Sequence, residues 1–97
     1  MTALRYARRA LDDLERLVDF LIDDSPADAS ATYELIESAL VSLACHPLIG
    51  RPAEAGLREL VISRGRTGYL ALYRYDEVRD EALVLAIRHQ REAGFQA

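Results

Sequence analysis

The chain has 97 residues, is 51% hydrophobic by residue count and carries a formal net charge of −4. This length accommodates one small domain, spanning residues 1–97, and the apolar content excludes disorder of the whole chain. All 12 cationic side chains are arginines. Because strong non-specific binding to nucleic acid requires a basic excess, the acidic balance argues against it.

The single cysteine, Cys45, cannot form an intramolecular disulfide, and this favours a cytoplasmic protein. Arginines and aspartates interrupt the N-terminal region, so we expect neither a signal peptide nor a membrane span. Cys45 adjoins His46, but paired ligands at metal-binding spacing are absent from the sequence. We therefore predict no metal and no cofactor, and we interpret Cys45 as a small core residue.

The first half of the chain predicts a short strand followed by two helices. Residues 3–6 form the candidate strand, and residues 7–24 follow helical spacing. The apolar stripe of this helix comprises Leu11, Leu14, Val18, Leu21 and Ile22. Ser25-Pro26 then predicts an N-cap followed by the first helical residue of a second helix. Its stripe comprises Ala29, Tyr33, Ile36, Leu40 and Leu43.

The second half predicts strands. Pro47 and Pro52 prevent further helix, because proline lacks an N–H and restricts the residue before it. Residues 57–62 and 69–75 alternate in character, whereas residues 82–87 form a continuous apolar run typical of a central strand. We therefore predict an α+β domain: an N-terminal antiparallel helical hairpin packed on a small, mainly antiparallel sheet of three to four strands.

Tyrosines and arginines are the side chains that could carry a function. Tyr69, Tyr73 and Tyr75 share one strand face, where they could stack on bases; we favour the alternative that they pack beneath the helices or under a bound partner. Arginines recur on and between the strands, and a planar guanidinium binds phosphate or carboxylate in bidentate fashion. For any single arginine, a surface ion pair of little energetic consequence is the simpler interpretation.

Several short motifs occur in an order that resembles the RelE/ParE superfamily of toxins from bacterial toxin–antitoxin modules. They are Asp13-Leu14, Ser25-Pro26, Ala29, Gly50-Arg51-Pro52, Arg58-Glu59-Leu60, Gly68-Tyr69, Leu72-Tyr73-Arg74 and Ile87-Arg88-His89 with Arg91. The resemblance covers nearly the whole chain. It implies a toxin of a type II module that is neutralised by a cognate antitoxin, whose C-terminal segment wraps the toxin. A hetero-oligomer with that antitoxin is expected.

The resemblance implies two functions according to branch. RelE-like members cleave mRNA on the ribosome, and ParE-like members inhibit DNA gyrase. Where RelE-like members commonly have an arginine after the Gly-Tyr pair, this chain has Leu70, and where they often have a C-terminal tyrosine, the nearest aromatic residue is Phe95. Neither can act as an acid, a base or a charge-stabilising group. We therefore favour gyrase inhibition, with mRNA cleavage as the alternative and a non-toxic module member as a third reading.

The expected site residues fall into three groups, and no catalytic residue is assigned. Candidates for target binding are Arg58, Arg74, His89 and Arg91. Gly50, Arg51 and Pro52 are expected to form a structural turn, in which Arg51 bonds carbonyls or a carboxylate near the helix end. Candidates for antitoxin contact are the strand residues Leu60, Ile62, Leu70 and Leu72.

Overall fold

In the computed structural model the described residues are 1–64 and 67–91. Two helices, α1 (Arg8–Ile22) and α2 (Pro26–Val41), form the hairpin. The strands are β1 (Ala3–Tyr6), β2 (Arg51–Pro52), β3 (Arg58–Arg64), β4 (Thr67–Asp76) and β5 (Glu81–His89). Short 3-10 turns cover Ser42–Ala44 and Glu54–Gly56.

The strands form one mixed sheet in the order β1-β5-β4-β3-β2. β1 runs parallel to β5, and the other neighbouring pairs are antiparallel. The predicted architecture of a helical hairpin on a mainly antiparallel sheet is confirmed, with five strands instead of three to four. The additional strand is the two-residue β2, which occupies the position that the sequence predicted as a turn.

The caps of the two helices agree with the sequence. The Ser25 hydroxyl accepts a hydrogen bond from the backbone N–H of Asp28 at 3.3 Å, and Pro26 begins α2. Such a cap satisfies one of the N–H groups that a helix N-terminus leaves without a partner. At α1 the N-cap residue is Ala7, which makes no side-chain cap. Within the described residues, neither helix is long and apolar enough to cross a membrane.

The hairpin covers one face of the sheet, here called the helix face, and leaves the other, the open face. The helix face carries Tyr69 and Tyr73, which belong to the core, and Tyr75, which packs against it. The prediction that these tyrosines pack beneath the helices is therefore confirmed. The largest fully buried side chains are Tyr73, Ile36, Leu40, Leu43, Ile87 and Val84.

The apolar stripes of both helices were partly misassigned. On α1, Leu17 is buried whereas Leu11 and Ile22 are about half exposed. On α2, Thr32 is buried and Tyr33 is 42% exposed. The positions that are buried depend on how each helix packs on the sheet, which the spacing of apolar residues alone does not determine.

A polar contact of Asp13 helps to fix the rotation of α1. Its Oδ2 atom accepts a hydrogen bond from the backbone N–H of Ile87 at 2.9 Å. Ile87 lies beyond the last β1–β5 register pair, Tyr6 with Val84, so β1 cannot supply this acceptor. Asp13 therefore provides a hydrogen-bond acceptor for a β5 backbone N–H that lies beyond the end of β1.

Candidate functional site

The segment Pro47-Leu48-Ile49-Gly50, called the 47–50 turn, joins the helical hairpin to β2. Ile49 donates its N–H to the carbonyl oxygen of His46 at 3.1 Å, which closes a turn with Pro47 at the second position. Proline is favoured there because its ring sets φ in advance. The side chains of Leu48 and Ile49 are 52% and 57% exposed.

The hydroxyl group of Tyr73 anchors the 47–50 turn through two hydrogen bonds. Its hydroxyl accepts a hydrogen bond from the N–H of Gly50 at 2.9 Å and donates one to the carbonyl oxygen of Pro47 at 2.7 Å. Burial raises the pKa of Tyr73, although the Gly50 N–H and the nearby Arg58 oppose that shift. The hydroxyl therefore remains neutral at physiological pH and can both donate and accept.

Arg58 holds the same turn from β3. Its Nη1 atom donates to the carbonyl oxygens of Gly50 at 2.7 Å and Leu48 at 3.3 Å. Arg58 is the register partner of Tyr73, so two adjacent strands converge on one turn. A charged donor strengthens such bonds to carbonyl oxygens. Nη1 of Arg58, which was predicted as a target-binding residue, is thus bonded to backbone oxygens.

Arg51 is placed differently from Arg58. Its Nε atom lies 3.1 Å from Oε1 of Glu59, its register partner across β2 and β3. The partner is a carboxylate, but it lies on β3 and not near the helix end as expected. The Arg51 side chain is 60% exposed, and exposed pairs contribute little to stability. The contacts to the carbonyls of the turn belong to Arg58, a distinction that the sequence alone did not make.

Glycine is required at position 50 because the backbone there lies close to the Tyr73 side chain and the Glu59 carbonyl. A Cβ atom at Gly50 would lie 2.6 Å from Cε1 and 2.7 Å from the hydroxyl oxygen of Tyr73, and 2.9 Å from the carbonyl oxygen of Glu59. Real Cβ atoms essentially never make contacts this short, and Tyr73 is fully buried, so neither neighbour can move easily.

The four target-binding candidates do not form one cluster. Arg58 lies on the helix face beside its cross-strand partner Tyr73, whereas Arg74 is exposed on the open face. His89 pairs with Tyr69, four residues along β4 from Tyr73, which is roughly 13 Å at 3.3 Å per residue.

His89 also orders the end of β5. Its ring contacts that of Tyr69 edge to face, with centroids 5.3 Å apart. Its Nδ1 atom accepts a hydrogen bond from the backbone N–H of Arg91 at 3.0 Å. A neutral ring with this bond carries its proton on Nε2. Phe95 lies outside the described residues.

The antitoxin-contact candidates divide between the two faces. Leu60 and Ile62 belong to the helix-face core, where a partner could reach them only by displacing a helix. Leu70 and Leu72 lie on the open face, Leu70 buried and Leu72 half-buried. Leu72 lines a shallow groove together with Ala53, Glu54, Leu57 and Glu59. Of the four candidates, Leu72 is the one that the described residues leave partly accessible.

The prediction for Cys45 was wrong. Its side chain is exposed just after the Ser42–Ala44 turn, because the chain leaves the hairpin there instead of continuing beneath it. Among the residues described, no three His, Cys, Asp or Glu side chains are grouped in a way that could hold a metal ion.

A second tyrosine holds the turn between β4 and β5, residues 77–80. The Oδ1 atom of Asp80 accepts hydrogen bonds from Thr2 at 2.6 Å and Tyr75 at 2.8 Å. Both bonds lower the pKa of Asp80, and the bond from Thr2 has the larger effect. The bond to Asp80 in turn raises the pKa of Tyr75. This contact was not foreseen, because Thr2 and Asp80 are distant in the sequence.

Comparison with known proteins identifies the family. Residues 4–94 match the family described as the ParE toxin of the type II toxin–antitoxin system, parDE. The chain belongs to this family. It is also similar to two proteins of Caulobacter vibrioides. "Toxin RelE3" is 37% identical over 93 residues, which cover 95% of this chain and 98% of that protein. "Toxin RelE1" is 36% identical over 66 residues, which cover 68% of this chain and 71% of that protein. The chain is therefore a type II toxin of the RelE/ParE superfamily.

Solved structures agree with this assignment. The chromosomal ParDE system from P. aeruginosa superposes with a TM-score of 0.77 at 26% identity, covering 92% of this chain and 96% of that one. The RelBE2 complex from Mycobacterium tuberculosis gives 0.63 at 28% identity, covering 92% and 98%. The E. coli RelBE complex gives 0.69 at 17% identity, covering 96% and 100%, and so supports the fold alone.

Proposed function

We propose that this toxin arrests growth by binding DNA gyrase and inhibiting it without cleaving nucleic acid, and that a cognate antitoxin neutralises it in the cytoplasm. The family match to ParE supports the first part, and the solved toxin–antitoxin complexes support an antitoxin partner. A binding toxin has no chemical step, so its effect depends on the affinity of a surface.

The observation that carries this proposal is the identity and burial of the residue that follows Gly68-Tyr69 on β4. The residue there is Leu70, which is 4% exposed on the open face between its register neighbours Val61 and Arg88. Cleavage of RNA requires groups that move a proton and stabilise developing charge. A buried leucine provides neither, and Nη1 of Arg58 is bonded to carbonyl oxygens of the 47–50 turn.

The alternative function is ribosome-dependent cleavage of mRNA. The names of the two Caulobacter relatives favour it, because both are called RelE toxins. In that case Arg58, Arg74, His89 and Arg91 would supply the charge-stabilising group. Their separation between two faces and two ends of the sheet makes such a group harder to assemble on one substrate.

A translating extract distinguishes the two functions. We expect the purified toxin to leave ribosome-bound mRNA intact, even at high concentration. We also expect Leu70→Arg with Phe95→Tyr to create no efficient cleavage, because the chain contains no lysine to support the added groups. Site-specific cuts by the unmodified toxin would assign it to the nuclease branch.

The arginines provide a second arm of the test. Single replacements of Arg74 or Arg91 should weaken gyrase inhibition by graded amounts, since each would remove one contact of a larger surface. A nuclease would instead lose on the order of 10²–10³ in rate when one charge-stabilising donor is removed. A loss of that size from one replacement would favour the alternative.

A further inference from the structure

A shallow groove on the surface of the helical hairpin is lined by side chains of both helices and is here called the hairpin groove. The lining residues are Leu11, Leu14, Glu15, Val18 and Asp19 of α1 with Tyr33 of α2. Leu14 packs against the core, whereas Leu11 is 48% and Tyr33 42% exposed. The two helices therefore leave an apolar strip open to solvent, with two acids beside it.

The apolar residues of the groove follow one side of α1. Leu11, Leu14, Val18 and Ile22 lie at intervals of three and four residues, so their side chains are neighbours on the helix surface. From Leu11 to Ile22 the row extends roughly 16 Å at a rise of 1.5 Å per residue. A partner helix laid along this row can contact it on three successive turns. An extended strand fits less well, because the groove offers side chains and no backbone groups to pair.

The two acids of the groove carry charges that the hairpin does not balance. Glu15 and Asp19 are exposed and stand four residues apart on the same flank of the groove. Within residues 1–64 and 67–91 neither of them forms an ion pair, and the ion pairs of the α1 arginines involve other acids. Those pairs are Arg8 with Asp12, Arg9 with Asp13 and Arg16 with Asp13. Two unpaired carboxylates thus border the apolar strip.

These charges decide which class of molecule can cover the groove. Carboxylates repel the phosphates of nucleic acid and of anionic lipid headgroups. A second copy docked through the same groove would bring Glu15 and Asp19 close to their own counterparts, because a two-fold contact pairs a surface with itself. A protein helix whose apolar stripe is flanked by lysine or arginine complements both the strip and its acids.

We propose that the hairpin groove is the docking site for a basic amphipathic helix of the cognate antitoxin. Leu11 and Tyr33 contact the apolar stripe of that helix, and Glu15 and Asp19 select its cations. The Tyr33 hydroxyl bonds the carboxylate of Glu37, which holds the ring at the groove. The inference rests on the proposed function only in taking an antitoxin as the partner, and it places this contact on the helices instead of the sheet.

The first arm of the test removes the charges of the groove. Glu15→Gln with Asp19→Asn keeps the size of both side chains. Asp23→Asn with Asp24→Asn is the matched control, because it removes two exposed acids that do not line the groove. The affinity of the purified toxin for its antitoxin would be measured by calorimetry and stopped flow. We expect a roughly fivefold loss for the groove variant, mainly in association rate and abolished by about 1 M salt, and a smaller change for the control.

The second arm removes an apolar contact. Leu11→Gln places another helix-favouring residue at this position. Phe20→Gln is the control, because Phe20 is 76% exposed on α1 but does not line the groove. We expect Leu11→Gln to weaken antitoxin binding on the order of tenfold through faster dissociation, and Phe20→Gln to leave it unchanged. Melting temperature and growth arrest by the free toxin should be the same in all variants.

Four results would overturn the inference. They are unchanged antitoxin affinity in both groove variants, equal losses in the controls, loss of growth arrest in Leu11→Gln, and a toxin dimer that Leu11→Gln dissociates. The third would assign the groove to the target, and the fourth to a second copy of the chain. Gyrase unaffected by the unmodified toxin, with antitoxin binding weakened only in the groove variants, would contradict the proposed target and leave this inference standing.

Charge reversal is the closing experiment, because it separates contact from a merely structural role. Glu15→Lys with Asp19→Lys should weaken capture of the unmodified antitoxin on the order of 100-fold, since like charges would then face each other. An antitoxin whose helix carries glutamate in place of the flanking lysines and arginines should recover most of that loss. Such recovery requires that the two sets of charges meet in the complex. Failure to recover, with both proteins folded, would overturn the inference, as would an antitoxin without a basic amphipathic helix.

Discussion

Two turns near one end of the sheet are each held by a tyrosine hydroxyl from β4, but with different partners. Tyr73 is buried and bonds backbone groups of the 47–50 turn, whereas Tyr75 bonds the exposed carboxylate of Asp80 in the 77–80 turn. Backbone groups do not titrate, and their burial leaves no water to replace a lost bond. The first turn is therefore costly to disturb at any ordinary pH, and the second is sensitive to acid.

The largest effect should come from Gly50→Ala. The added methyl group overlaps the Tyr73 ring and the Glu59 carbonyl, so it should destabilise the fold by roughly 3 kcal/mol through overpacking and loss of the hydroxyl bonds. Thermal unfolding measures this. Gly56→Ala is the control: its φ of 74° makes alanine strained, but no atom lies within 4 Å of the added Cβ. Equal losses in the two variants would show that crowding at Tyr73 is unimportant.

Tyr73→Phe should come next, at about 2 kcal/mol, because it leaves the buried Gly50 N–H without its acceptor. Tyr75→Phe should have a much smaller effect, because water can replace the lost partner at the exposed Asp80. Denaturant unfolding of both variants measures the difference. A loss from Tyr75→Phe as large as that from Tyr73→Phe would remove the distinction between the turns.

Arg58→Ala and Arg51→Ala sharpen the account of the first turn. Arg58 bonds two carbonyl oxygens, so its replacement should cost roughly 1–2 kcal/mol. Arg51 makes an exposed ion pair with Glu59, whose loss should cost roughly 0.5 kcal/mol or less. If Arg51→Ala lowers the melting temperature more than Arg58→Ala, the carbonyl contacts of Arg58 do not stabilise the turn.

The smallest effect concerns acid. The hydroxyl bonds from Thr2 and Tyr75 lower the folded-state pKa of Asp80 below 3.8, its ordinary value. Their stabilisation is therefore fully present above pH 3.8 and is lost as the pH falls through the folded-state pKa. Asp80→Asn, which tolerates the φ of 50° at this position, should flatten that part of the stability–pH curve. If the Asp80→Asn variant loses stability at low pH as the unmodified protein does, other groups control the acid sensitivity.

Local signals in the sequence predicted much of the fold. Ser25-Pro26 identified the start of α2, and alternation along β4 separated Tyr73 from Leu72 correctly. The parallel pairing of β1 with β5 was not predictable, because residues 3–6 carry no signal for strand direction. The burial of Leu17 depends on how α1 sits on the sheet, which involves the distant pair Asp13 and Ile87.

The candidate site was predicted less completely, for a related reason. The sequence assigned Arg51 to a structural turn and Arg58 to target binding, and only the convergence of β3 and β4 shows that Arg58 reaches the 47–50 turn.

The most direct measurement of the central claim is DNA supercoiling by purified gyrase, titrated with this toxin in the presence and absence of its antitoxin. The account predicts that inhibition rises with toxin concentration and is relieved by stoichiometric antitoxin. Undiminished supercoiling at toxin concentrations that stop growth would contradict it.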